Sequence, residues 1–204
     1  MLSRKLHRAA RSARRRPDAR SVRTSLSLHR PEISVAQQAG VSMVSDMTRI
    51  ATWVQPQDIL LGADVSDRQK ALELVAQVIG HRHGLDPAPI FRALWRREQA
   101  ASTALGNGFA IPHARIGGIS RPSTMFLRLK LAIAFDAPDG KPVADLLVIM
   151  VPADGANDDH LQLLALVARL FSDTSFRAQL DSAPDPDAAA DVFRIATAQA
   201  TAAP

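Results

Sequence analysis

Leu146-Leu147-Val148-Ile149-Met150-Val151 is an unbroken apolar run of strand length, closed by Pro152. A strand with no polar position has no face to turn to water, so it belongs at the centre of a sheet covered on both sides. In a chain that also carries helical periodicity, helices are the natural cover. The run therefore requires amphipathic helices before and after it in the sequence.

Both sets are present. Ser66-Asp67-Arg68-Gln69 has the form of a capping box, and Ala71, Leu72, Leu74, Val75, Val78 and Ile79 follow at helical spacing. This predicts a helix ending near His83, with Gly84 as its stop. Asp86-Pro87 supplies a cap and an N1 proline for a second helix, with an apolar face of Ile90, Phe91, Leu94 and Trp95, a polar end Arg96-Arg97-Glu98, and a finish near Gln99. Residues 101–120 then change character. Gly106-Asn107-Gly108 reads as a turn into a short strand, Phe109-Ala110-Ile111, cut off by Pro112.

Met125, Leu127, Leu129 and Leu131 alternate with Phe126, Arg128 and Lys130, the pattern of a half-exposed strand, and Asp139-Gly140 makes a turn. After the apolar run, Asn157-Asp158-Asp159 opens a helix with Leu161, Leu164, Ala165, Ala168, Leu170 and Phe171 available to pack inward. Two shorter helices follow, capped by Asp173 or Thr174 and by Asp185-Pro186. The expected fold is a single α/β domain, a central mixed β-sheet covered by helices on both faces.

Charge divides the chain in two. Residues 1–30 hold ten of the 25 Lys and Arg and one acid, Asp18, which leaves 15 basic and 19 acidic residues in 31–204. The body is thus mildly acidic and offers no basic stripe, so nucleic-acid binding rests on the tail alone. Residues 1–50 read as a basic, disordered N-terminal extension. Its composition suits a transit peptide, an arm that binds anionic polymer, or a mis-assigned start with Met43 or Met47 as the true one. No apolar run is long enough for a membrane span. The absence of cysteine excludes thiol catalysis and cysteine-ligated metals and fits the reducing cytoplasm.

Of six histidines, His7 and His29 lie in the tail. His81 and His83, two apart at a helix end, face different ways and read as surface residues. His113 follows a proline at the end of a strand, where an imidazole stands at a sheet edge; a buried, satisfied histidine is the plainer reading of it taken alone. His160 falls in the first turn of a helix, where free N–H groups favour anions and disfavour imidazolium. A neutral imidazole there can donate to a phosphate oxygen, and a solvated histidine is the alternative. Arg97 and Arg115 are candidate cations for a phosphoryl group, or solvated charges. Gly106-Asn107-Gly108 is not a nucleotide-binding loop, because no Lys-Ser or Lys-Thr follows and no helix comes next. Asp154, Asp158 and Asp159 show no metal-cage spacing, so neither metal nor cofactor is expected.

Arg97-Glu98, then Ser102-Thr103-Ala104-Leu105-Gly106-Asn107-Gly108-Phe109-Ala110-Ile111-Pro112-His113, resembles the active-site stretch of type-2 enzyme IIA domains of the bacterial sugar phosphotransferase system. The resemblance continues through Pro122, Ile133-Ala134-Phe135-Asp136, Pro142-Val143, Val151-Pro152-Ala153 and His160-Leu161, and covers about residues 57–198. It implies that His113 is the phosphorylated histidine, His160 a second active-site histidine donating to the phosphate, and Arg97 the arginine that contacts the phosphoryl group. It further implies a cytoplasmic phosphotransferase that takes a phosphoryl group from a carrier protein of the HPr type and passes it to a downstream IIB domain or regulated protein. Ala114 departs from the glycine often found after the histidine, and the basic tail has no counterpart in the family.

Similar domains either feed a fructose- or mannitol-type sugar permease or act as a separate nitrogen-regulatory protein. The Ala-Ile-Pro-His and Val-Pro-Ala context looks more like the regulatory branch. A reading of another class is a binding module that kept the fold and regulates its partner without transferring phosphate.

Overall fold

The computed structural model describes residues 54–154 and 157–202, and of residues 157–160, 162 and 199–202 the backbone only. The expected extension, residues 1–50 with the alternative starts Met43 and Met47, lies outside the described residues. Six strands make one sheet: β1 Ile59–Ala63, β2 Ala104–Gly106, β3 Phe109–Ala110, β4 His113–Ile116, β5 Ser123–Ile133 and β6 Val143–Pro152. The helices described are α1 Arg68–His83, α2 Pro87–Ala100, α3 Asn157–Ser172, α4 Thr174–Asp181 and α5 Pro186–Ala202. The sheet order is β1-β5-β6-β3-β2, with β4 also paired to β6.

The apolar run lies inside β6, at the sheet centre. One edge of β6 pairs antiparallel with β5, and the other pairs parallel with β3 and then β4, which makes the sheet mixed. Alternate residues of the run serve two cores. Leu146, Val148 and Met150 pack with Leu72, Val75, Ile79, Ile90 and Leu94 from α1 and α2. Leu147, Ile149 and Val151 pack with Leu163, Val167, Phe171, Phe176 and Phe193 from α3, α4 and α5. Each such side chain contributes about 1.5–3 kcal/mol by leaving water, so a run with no polar residue is stable only between two helical layers.

Several local expectations are corrected. Asp67, not Ser66, caps α1: its carboxylate accepts from Lys70 N–H at 2.9 Å, while Ser66 Oγ donates to it at 2.7 Å. A carboxylate is the stronger acceptor at a helix start. Asp67→Ala is expected to lower the denaturant midpoint with an unchanged slope. The strand read as half-exposed is buried on both faces from Ser123 to Leu127, because Phe193 of α5 meets Phe126 edge-on at 5.6 Å. Only Lys130, Leu131 and Ala132 are exposed. In α3 the inward face is Leu163, Leu166, Val167, Leu170 and Phe171, whereas Leu161 is 64 % exposed and Ala165 is exposed.

Candidate functional site

The parallel track along β6 carries the candidate nucleophile. Ala110 lies opposite Leu146 and His113 opposite Ile149, so the register of β3 and β4 continues through Ile111 and Pro112 although pairing lapses there. Pro112 causes the lapse because it has no N–H to donate. Its carbonyl still accepts from Ile149 N–H at 2.9 Å, and Ile111 N–H donates instead to Thr103 O at 3.0 Å. His113 therefore opens a strand of its own, β4, rather than closing the preceding one. Ala114 and Ile116 belong to the core under α1 and α2, so strand alternation sends His113 and Arg115 to the opposite face.

Two contacts define the imidazole of half-buried His113. Nδ1 lies 2.8 Å from Ile111 O, and Nε2 lies 3.0 Å from Arg97 Nε. A carbonyl only accepts and a guanidinium only donates, so Nδ1 carries the hydrogen and Nε2 the lone pair. Both contacts require the same tautomer. Arg97, in the last turn of α2, also donates from Nη1 to Ala101 O at 2.7 Å. The structure thus joins His113 and Arg97, sixteen residues apart in sequence. Glu98, expected in a polar helix end, is 2 % exposed and receives hydrogen bonds from Thr103.

His160 lies in the first turn of α3, just beyond the β6 end that pairs with β4, and its side chain is outside what the structure describes. The same holds for the side chains of Asp158 and Asp159. Arg115 Nη1 points at Pro152 O and Ala153 O, both at 3.4 Å, where β6 ends and the connection to α3 begins. Ala153 N–H is held there by Ile116 O at 2.9 Å. The Gly106-Asn107-Gly108 turn joins β2 to β3 with φ of 86°, 55° and 80°, and Asn107 N–H donates to Asp139. The glycines are needed for that left-handed run. Among the described residues, no group of three His, Asp or Glu converges as a metal site would, and no helix is long and apolar enough to cross a membrane.

A profile described as "Phosphoenolpyruvate-dependent sugar phosphotransferase system, EIIA 2" matches residues 52–195. The chain belongs to this family. Among type-2 enzyme IIA relatives, it is 35 % identical over 143 residues to a nitrogen regulatory protein of Pseudomonas aeruginosa, covering 70 % of this chain and 92 % of that one. A fructose-specific EIIA component of Haloferax volcanii is 33 % identical over 149 residues, with 72 % and 96 % covered. The crystal structure of the nitrogen regulatory protein IIA-Ntr from Neisseria meningitidis superposes with a TM-score of 0.67 at 31 % identity, covering 71 % of this chain and 99 % of that one.

Of the other histidines in this enzyme IIA domain, His81 is exposed as expected and His83 is not. His83 Nε2 sits 2.9 Å from Ser123 Oγ, at the end of α1. Burial first, then the charges of Arg82 and Arg121, pushes its imidazole below the ordinary value of 6.5, against a smaller opposite pull from Asp58. The fold thus resists protonating His83 more than the unfolded chain does, so stability is full above 6.5 and falls as pH drops below it. Between about pH 7.5 and pH 5.5 the wild type is expected to lose more thermal midpoint than His83→Gln. Equal losses in both would contradict this assignment.

Proposed function

We propose that this protein is a phosphoryl carrier in which His113 Nε2 is the nucleophile. The observation that carries this reading is the pair of opposed hydrogen bonds on one ring: the Ile111 carbonyl fixes the proton on Nδ1, and the lone pair of Nε2 faces a guanidinium. The donor is an HPr-type phosphocarrier bearing a phosphohistidine. The Nε2 lone pair attacks phosphorus, the donor N–P bond breaks, and that bonding pair returns to the donor imidazole. No proton has to leave Nε2 during attack.

In the resting state Arg97 Nε–H occupies the lone pair. When phosphorus arrives at Nε2, the same N–H is placed to move to an equatorial phosphoryl oxygen, where charge gathers in the transition state. His160, at the start of α3, would donate from a neutral ring to another oxygen. Half-burial of His113 leaves it within reach of a partner protein, and Leu161, exposed directly after His160, offers an apolar contact. The activity resides in residues 57–198 and operates in the cytoplasm, where the phosphocarrier works.

The acceptor reading that fits best is regulatory, through a IIB domain or a regulated protein of the nitrogen-related branch; it is supported by the relatives named nitrogen regulatory protein. Incubation with phosphorylated phosphocarrier is expected to add one phosphate that acid releases and base does not. Its absence would contradict the carrier reading. Rapid onward passage to a fructose-type IIB domain, supporting sugar uptake, would move the protein to the permease branch.

A further inference from the structure

Glu98 follows Arg97 in α2 and is buried, although a charged residue one turn from a helix end is ordinarily solvated. Its two carboxylate oxygens accept from Thr103 N–H at 3.1 and 3.2 Å, and one of them also accepts from the Thr103 hydroxyl. Arg68 Nη1 stands 3.7 Å from Glu98 and 2.7 Å from Asp136, with its guanidinium over the Trp95 and Phe135 rings at 5.7 and 5.8 Å. Next to Thr103 in the chain, Ser102 Oγ donates to Phe135 O at 2.6 Å. A buried carboxylate is costly unless satisfied, and here its partners tie the chain after α2 to the helix it has just left.

The tie governs Ala101. This residue is extended, with φ −167° and ψ 140°, and its carbonyl receives Arg97 Nη1. A guanidinium is a rigid planar fork, so holding Nη1 at one point restricts the direction in which Nε points. The Thr103 carbonyl, within the same clamp, receives Ile111 N–H, two residues before His113. We propose that Glu98 is a positioning residue of the phosphoryl-transfer site, setting through Thr103 and the Ala101 carbonyl where the Arg97 guanidinium stands against His113 Nε2. This rests on the phosphoryl-carrier reading of His113.

The test is a cycle of single-turnover transfer rates from phosphorylated phosphocarrier to wild type, Glu98→Ala, Arg97→Ala and the double variant, with Glu98→Gln alongside. Glu98→Ala is expected to slow transfer about 10-fold, as misplacement of a catalytic group by a fraction of an ångström does. Glu98→Gln keeps an acceptor for Thr103 N–H and is expected to recover to within about 3-fold of wild type. In the Arg97→Ala background Glu98→Ala is expected to add less than about 2-fold, because it acts through the missing group. A wild-type rate for Glu98→Ala, or its full factor multiplied onto Arg97→Ala, would overturn the proposal. Should Glu98→Ala not fold, Thr103→Ala, which keeps the backbone N–H bond, takes its place with the same two outcomes. Phosphate uptake by His113→Ala would instead remove the carrier reading on which the proposal stands.

Discussion

His113→Ala is expected to take up no phosphate from the phosphorylated carrier, while its thermal unfolding stays close to that of wild type. Loss is expected to be complete because, on the phosphoryl-carrier reading, the variant removes the nucleophile itself, and neither His81 nor His83 has the same setting. His81 is exposed at a helix end and His83 is engaged with Ser123. The fold is expected to survive because His113 is half-buried and its side chain belongs to neither apolar core. Residual labelling of His113→Ala above about one part in a hundred of wild type would contradict the assignment, since nucleophile deletions in other enzymes are far more costly than that.

Arg97→Ala is the second large effect. On the phosphoryl-carrier reading Arg97 supplies the cation and the N–H that meet the transferring group, and loss of one preorganised donor of this kind slows reactions about 100- to 1,000-fold, or roughly 3–4 kcal/mol. Arg97→Lys is expected to recover little of this, since an ammonium cannot hold Ala101 O and His113 Nε2 together with a planar fork. The measurement is single-turnover transfer at saturating phosphocarrier. A fall confined to carrier affinity, with the saturated rate unchanged, would show that Arg97 binds the partner rather than the transition state.

What could be read from the sequence was what local chemistry decides. Asp86-Pro87 sets the start of α2 by a cap and a fixed φ, and Leu146–Val151 needs no partner in sequence to declare itself a doubly covered strand. Two of the short strands were not legible, although β3 was. β2 and β4 span three and four residues and exist because β3 and β6 lie beside them, so no periodicity can build up. The α3 face was misjudged for a related reason: Leu161, Leu163, Leu164, Leu166 and Leu170 place apolar residues on more than one side, and packing rather than spacing chooses among them.

The site divides in the same way. His113 and Arg97 were marked by residue type and by the family pattern, and the structure brings them into one hydrogen bond. The role of Glu98 was hidden, because a carboxylate in a helical Arg-Arg-Glu run looks solvated until Thr103 folds back on it. Charge alone could not say which carbonyls Arg115 meets, and the structure turns it toward Pro152 O and Ala153 O.

Nε2, not Nδ1, of His113 is the nitrogen proposed to bear the phosphoryl group, because the Ile111 carbonyl holds the Nδ1 proton. Nitrogen and phosphorus NMR of the phosphorylated, histidine-labelled protein tests it directly. The prediction is a phosphorus coupling at Nε2 of His113 with Nδ1 still protonated. Coupling at Nδ1, or at either nitrogen of His160, would contradict it.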